Sequence, residues 1–174
     1  GFASVTSAVV SAAGMDGGDG SWSVLTEVTA DGLRLVAEED MLKDDEQAHT
    51  TEQASYLVFG QGITGPPPDP NLRTGVAPAV SDSVWTTVTL DHTYEDMVVV
   101  ATPNYVPGAP PVVTRIRNAA GNSFEIILQQ AVNSPPSSVT ADVHYVVVEK
   151  GVFTVDEHGV KMEAVKYSSG STNT

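Results

Sequence analysis

The chain has 174 residues, 41% of them hydrophobic, which is enough for one ordinary domain or two small ones. Its 22 acidic residues outnumber 8 basic ones, and the formal net charge of −14 repels nucleic-acid phosphates and anionic lipid headgroups. We therefore expect no nucleic-acid partner. Because the chain has no cysteine, disulfides and thiolate chemistry are excluded as well.

The location of the protein is predicted from its ends and its apolar runs. No apolar run approaches the roughly 20 residues of a membrane-spanning helix, so membrane insertion is not expected. The sequence begins at Gly1 without the basic residues that open a signal peptide, which is consistent with a processed, exported chain. These features favour an extracellular or cell-surface location.

Period-two alternation and enrichment in valine and threonine predict an all-β fold. The predicted strands, in chain order, are AVVSAA, LRLVA, SYLVF, VWTTVTL, MVVVA, VVTRIRN, FEIIL, HYVVV, VFTV and VKMEAV. Residues 38–54 alone have helical potential, but their apolar positions are too few to form a buried helix face. We predict an acidic loop there, with at most one helical turn.

Two similar segments, SYLVFGQG and HYVVVEKG, indicate an internal duplication. When Leu33 is aligned with Phe124, the following tyrosines Tyr56 and Tyr145 come 23 and 21 residues later, and a glycine follows each tyrosine after 6 residues. The alternative is a pair of unrelated valine-rich strands. The first copy has too few residues ahead of AVVSAA to supply a counterpart of VWTTVTL, so one sandwich is predicted to be a strand short.

The duplication predicts two tandem antiparallel β-sandwich modules, a proline-rich linker and a C-terminal β-hairpin. Four prolines within five positions favour an extended, semi-rigid spacer between the modules. The predicted divisions are 1–62 for the first module, 63–83 for the linker, 84–151 for the second module, and 152–174 for the hairpin and tail.

The second copy resembles the H-type lectin fold group and related repeat modules of secreted and surface proteins. The resemblance lies in WTTVTL, YEDMVVVATPNY, PPVVTRIRNAAGNSFEIILQQ and VHYVVVEKG. It implies a six-stranded antiparallel sandwich that, in those lectins, trimerises and binds sugars of the N-acetylgalactosamine type. The family's sugar-binding arginine falls on Arg115, whereas its Trp-His pair falls on Ala131 and Val132.

Arg115 and Arg117 are the candidate ligand-binding residues. Alternation puts both on one face of TRIRN, where guanidinium groups can clasp a carboxylate or sugar hydroxyls. The alternative is that they form salt bridges or are solvated strand residues. In either case Thr114 and Ile116 are predicted to face inward.

The acidic loop is a candidate calcium site, because carboxylate oxygens at high density are the ligands that this ion prefers. Its spacing does not reproduce an EF-hand, and a solvated loop is the alternative. Calcium is thus a possible cofactor, and the candidate ligands are Glu38, Glu39, Asp40, Asp44 and Asp45.

No catalytic constellation accompanies the four histidines, and we therefore predict a protein without enzymatic activity. The leading hypothesis is adhesion or carbohydrate binding, with a glycan as the partner. The alternative is a structural subunit of a filament, sheath or particle, in which copies of the chain associate as a homo-oligomer or polymer.

The C-terminal hairpin, predicted to turn at residues 156–159, is the candidate assembly element. An unpaired sheet edge recruits any strand that can reach it. We therefore hypothesise that residues 160–167, or the N-terminal strand, pair with a neighbouring copy, unless the hairpin folds back on its own module. The candidate assembly residues are Val160, Met162, Ala164, Val165 and Tyr167.

Overall fold

A computed structural model describes residues 4–14, 21–39, 50–61, 72–106, 108–131, 137–159 and 161–166. The strands are β1 (Ser4–Ala12), β2 (Ser21–Val28), β3 (Leu33–Glu39), β4 (Ala54–Gln61), β5 (Arg73–Ser81), β6 (Thr86–Tyr94), β7 (Met97–Asn104), β8 (Val112–Gln130), β9 (Thr140–Glu149), β10 (Gly151–Phe153) and β11 (Met162–Ala164). One short helix, α1 (Val155–His158), lies between β10 and β11. Strand dominates the described residues, and the all-β prediction is confirmed.

The central element is a five-stranded sheet in the order β3-β2-β7-β9-β5. Its pairs are antiparallel apart from β2 and β7, which run parallel and meet at Leu25 and Asn104. The N–H of Tyr105 extends this junction by donating to the carbonyl of Leu25 at 3.0 Å. Three two-stranded sheets, β1-β4, β6-β8 and β10-β11, complete the described strands.

Strand β8 reverses direction within its own span. Pro111 and Ala131 flank it on either side, and the N–H of Ala131 donates to the carbonyl of Pro111 at 3.0 Å. A straight strand of this length would hold its ends roughly 60 Å apart, so the two halves must fold back as a hairpin. Asn118 and Gly121, both with positive φ, lie at the bend.

The main core lies between the central sheet and the β6-β8 sheet. Alternation along β9 directs Val143, Tyr145 and Val147 toward this core, where they meet Phe124 of β8. The ring of Phe124 contacts that of Tyr145 edge-on, with centroids 5.4 Å apart. The sandwich arrangement of this part of the chain follows from the two facing apolar surfaces.

The β1-β4 sheet covers part of the opposite face of the central sheet. Its β1 strand is attached by side-chain hydrogen bonds instead of a strand ladder. The N–H of Val10 donates to Thr102 Oγ1 at 3.0 Å, and Ser7 Oγ donates to the carbonyl of Tyr145 at 3.1 Å. Two sheets therefore pack on opposite faces of the central one.

Two features of the sheets lie across the predicted divisions at 62 and 84. Strands β2 and β3, from the predicted first module, share one sheet with β7 and β9 of the predicted second module. Strand β5 occupies most of the second half of the range predicted as a linker. Gly75 and Pro78 in this strand are residue types typical of turns, which is why the sequence did not indicate a strand here. A β-bulge between Ala77 and Val80 accommodates Pro78 and conceals the alternation. The four clustered prolines of the predicted linker, Pro66, Pro67, Pro68 and Pro70, lie outside the described residues.

The C-terminal segment turns through α1. Thr154 caps this helix by accepting from the N–H of Glu157, and Gly159 ends it in the left-handed conformation, with φ of 70°. Antiparallel pairing of β10 with β11 brings Gly151 opposite Ala164. Among the described residues, no helix has the length and apolar character needed to cross a membrane.

Candidate functional site

The two predicted ligand-binding arginines lie on the exposed face of β8, where each pairs across the hairpin. Arg117 Nε donates to Glu125 Oε2 at 2.9 Å, and Arg115 Nε donates to Gln129 Oε1. Asn118 also donates its amide to Glu125. Arg117, followed by Asn118, lowers the pKa of the Glu125 carboxyl below its usual range. Within the chain, both arginines therefore make the strand-to-strand side-chain contacts that were the alternative to ligand binding.

An indole ring extends this row of polar side chains. The guanidinium carbon of Arg117 lies 4.0 Å from the ring centroid of Trp85, within the range of a cation–π contact. Trp85 is half-buried and comes directly before β6, the strand that pairs with β8. We call this group the polar face, and its members are Trp85, Arg115, Arg117, Asn118, Glu125 and Gln129.

The polar face was only partly predicted from the sequence. Alternation indicated the two arginines, and Ile116 packs against the core as that alternation predicts. Glu125 and Gln129 lie on the other half of the same hairpin. The sequence analysis separated VVTRIRN from FEIIL, but it did not predict that these two segments pair with each other. Trp85 was included in the predicted strand VWTTVTL, but its contact with Arg117 depends on the pairing of β6 with β8, which the alternation does not indicate.

The acidic segment is divided by the structure. Glu38 and Glu39 end β3 and are both buried, instead of lying in a solvated loop. As consecutive strand residues they point to opposite faces, so they do not converge on one ion. The described residues contain no group of three potential metal ligands. Asp40, Asp44 and Asp45 lie outside the described residues, and calcium binding there stays a prediction.

Glu38 forms a buried polar pair with Tyr105. Burial raises the pKa of the Glu38 carboxyl, and the neighbouring Tyr105 hydroxyl partly opposes that rise, although this hydroxyl makes no hydrogen bond of ordinary geometry. Burial also raises the pKa of Tyr105 far above its ordinary value, and the charge of Glu38 adds to this effect. Neither strand periodicity nor charge patterning indicated this pair.

A second buried polar group joins β1 to the central sheet. The N–H of Ala8 donates to Nδ1 of His144 at 3.3 Å, and the Asn104 amide lies 3.5 Å from Nε2 of the same ring. Burial lowers the pKa of His144, while the charge of Asp142 acts in the opposite direction. This arrangement explains His144 as a structural residue.

The predicted assembly residues lie partly within the chain's own C-terminal hairpin. Met162 pairs with Phe153, and Ala164 packs with Phe153, Val98 and Val148 in a small apolar cluster. Lys166 forms an ion pair with Asp96 and donates to the carbonyl of Met97 at 3.1 Å. Val165 is exposed. Val160 and Tyr167 lie outside the described residues.

A cavity of about 300 Å³ opens between β3 and β4. Its walls include Leu35 and Ala37 of β3, Ser23 of β2 and Ala54 of β4. Four of the eight lining residues are polar, namely Ser23, Thr50, Thr51 and Glu52, so the cavity has a mixed lining and no feature that selects one class of ligand.

Comparison with known proteins found no matching family model, no matching curated protein and no matching solved structure.

Proposed function

We propose that this is a non-enzymatic β-sandwich protein of the cell surface or extracellular space that binds carbohydrate through its polar face. The observation that carries the proposal is the position of Arg117, held against Glu125 at 2.9 Å and over Trp85 at 4.0 Å. The resemblance to H-type lectins, which also use an arginine at the position of Arg115, favours the same class of ligand.

The polar face has the two kinds of group that a sugar needs. A half-exposed indole can pack against the C–H face of a pyranose ring, while planar guanidinium and amide groups bind its hydroxyls in fixed geometry. Since Arg117 is already oriented by Glu125, less side-chain entropy is lost on binding. With a net charge of −14, the protein favours neutral sugars, such as hexoses and N-acetylhexosamines, over sulfated or sialylated ones.

Binding of the full chain to an array of neutral and anionic glycans tests this proposal, followed by titration of each hit. We expect Arg117→Lys and Trp85→Ala to weaken binding by at least about tenfold, because each removes part of the ordered pair. Arg34→Lys is the matched control, since Arg34 is an exposed strand arginine that pairs with Glu27 at 2.9 Å. Equal affinity in all three variants would exclude the polar face as the binding site.

A second candidate function is assembly through strand pairing between subunits. Strand β4 pairs with β1, and no further strand among the described residues lies along its other edge. Tyr56 and Leu57 of β4 are exposed, and neither β1 nor β4 contains a charged residue. Strands without charge or proline on an open edge lack the usual protection against association.

Electron microscopy and sedimentation of the concentrated protein test assembly. Polymers that disappear in Leu57→Lys, but persist in the exposed control Val84→Lys, would support pairing along β4. A monomer at all concentrations would exclude self-assembly of this chain.

A further inference from the structure

The β1-β4 sheet is a separate layer on the face of the central sheet that lies opposite the main core. Its ladder runs from the pair Ser4 and Gln61 to the pair Ala12 and Ala54, and among the described residues neither strand pairs with a strand of another sheet. We call this two-stranded layer the cover. No described member of the main core comes from β1 or β4, so the burial of the cover is separate from that of the core.

The central sheet holds the cover through hydrogen bonds that it accepts from β1. Thr102 Oγ1 accepts one at 3.0 Å, and the carbonyl of Tyr145 accepts another at 3.1 Å. Neither group titrates near neutral pH. The third acceptor is Nδ1 of His144, which receives the N–H of Ala8 at 3.3 Å and belongs to the side chain that ordinarily titrates in this range.

The protonation state of His144 in the closed cover is fixed by its partner. A backbone N–H can only donate, so Nδ1 accepts from Ala8 only while it is unprotonated. A proton on Nδ1 removes this contact and also places a positive charge on a side chain that is 5% exposed. Once the cover has lifted, water solvates the charged ring. Acid therefore favours the open arrangement.

We propose that protonation of His144 releases the cover from the central sheet while the main core stays folded. Alternation places His144 and Val146 on the same face of β9, and Val9 of the cover is only 4% exposed. Release uncovers these residues, so acid exposes apolar surface that is closed at neutral pH. None of them belongs to the polar face, and the inference is independent of carbohydrate binding.

The pH range of the release depends on the groups around His144. Among the described residues, the groups that face it from the other strands packed against it are uncharged, and they are Ser7 and Ala8 of β1, Thr102 and Asn104 of β7, and Val76 of β5. Burial lowers the pKa of His144 from 6.5, and the charge of Asp142 on the same strand acts in the opposite direction. The cover is therefore closed above pH 6.5 and opens as the pH falls below that value.

Thiol labelling of single-cysteine variants tests the proposal, because the chain has no cysteine of its own. Val9→Cys reports release of the cover, since Ser7 reaches Tyr145 and alternation directs Val9 to the same covered face. Val143→Cys, at a fully buried position of the main core, reports global unfolding. The probe is a pyridyl disulfide that reacts in acid, and its rates with the urea-unfolded chains correct for its own pH dependence.

We expect Val9→Cys to be labelled at least about tenfold faster than Val143→Cys at pH 5.5. Its rate should rise at least about threefold between pH 7.5 and 5.5, where a single proton allows about tenfold. In the Val9→Cys chain, His144→Asn should keep labelling slow at both pH values, because its oxygen replaces Nδ1. His144→Gln, whose amide lies nearer to the position of Nε2, should make labelling fast at both. Asp142→Asn retains an acceptor for the N–H of Ala79 and should move the rise to lower pH.

Three results would overturn the inference. Equal labelling of the two reporters would show that only global unfolding opens the cover. A rate that does not change with pH would exclude acid release, and an unchanged acid response in His144→Asn would exclude the imidazole as its cause. If His144→Asn does not fold, Asp142→Asn decides the same question, because an unshifted response would exclude His144.

Discussion

The backbone N–H of Ala8 and Nδ1 of His144 are joined by a hydrogen bond of 3.3 Å between residues 136 positions apart. Because Nδ1 accepts, the ring proton of neutral His144 lies on Nε2, and Asn104 then satisfies Nε2–H best with its amide oxygen. Protonation of Nδ1 would make it a donor, and its N–H would then face the N–H of Ala8, which needs an acceptor. The attachment of β1 to the central sheet therefore depends on a neutral imidazole.

This relationship predicts that acid weakens the fold in the range of histidine titration. The unfolded chain takes up a proton near pH 6.5, whereas burial lowers the pKa of His144 in the folded chain. Stability is therefore complete above pH 6.5 and falls as the pH decreases below that value. Urea unfolding at pH 7.5, 6.0 and 5.0 should show a smaller decline for His144→Asn, whose side-chain oxygen can replace Nδ1 as acceptor. A decline equal to that of the unaltered chain would contradict the prediction.

Glu38 is expected to have the opposite pH dependence. Burial raises its pKa in the folded chain, so stability falls as the pH rises above 4.5, where the unfolded chain ionises, and the loss is complete once the pH exceeds the raised pKa. Glu38→Gln should increase the free energy of unfolding at pH 7 and leave it unchanged or lower at pH 4. The exposed Glu163→Gln on β11 is the matched control. Denaturant titration at both pH values measures the difference, and a loss of stability at pH 7 would disprove the expectation.

Gly75 should tolerate no larger residue, because a Cβ there would approach Cζ of Tyr145 to 2.7 Å. The Tyr145 ring also contacts the ring of Phe124, with centroids 5.4 Å apart, which opposes its withdrawal toward the core. We expect Gly75→Ala to cost about 1–3 kcal/mol of unfolding free energy, as overpacking generally does. Gly32→Ala, where no atom lies within 4 Å of the added Cβ, should have little effect. Thermal unfolding of the two variants compares them directly.

The C-terminal hairpin should detach independently when its apolar contact is removed. Phe153 packs with Val98, Val148 and Ala164, and its ring meets that of His158 edge-on. Phe153→Ala should raise hydrogen exchange in β10 and β11 well before exchange in β7 and β9 changes. The neighbouring Val152→Ala, at an exposed position, should leave exchange unaltered. Simultaneous opening of all four strands would show that the hairpin is instead part of the main cooperative unit.

Sequence patterns predicted the strands well where alternation was regular. The matching positions of Tyr56 and Tyr145 were also indicated by spacing, and both have equivalent antiparallel partners. Strands β2 and β5 were both absent from the predicted strands. In β5, Pro78 and a bulge interrupt the period, and β2 has a bulge between Leu25 and Glu27. The order of strands in the central sheet could not be predicted from local sequence patterns. For example, β2 pairs with β7 through Leu25 and Asn104, which are 79 residues apart.

The candidate site was harder to predict for a related reason. Arg115 and Arg117 could be assigned to one face of a strand, but their partners depend on a reversal at Asn118 and Gly121 that leaves no break in the strand. Glu38 is buried beside Tyr105, which lies 67 positions further along the chain. A run of acidic residues is ordinarily solvated, and local composition gives no sign of such distant packing.

The attachment of β1 also constrains the order in which the protein can fold. Its hydrogen-bond partners Thr102, His144 and Tyr145 are synthesised about 90 to 140 residues after it. During translation β1 and β4 therefore leave the ribosome before the strands that supply these hydrogen-bond partners, and the attachment cannot be completed until β9 has been made. Such long-range closure slows folding, and we expect β1 to become protected last in a refolding experiment.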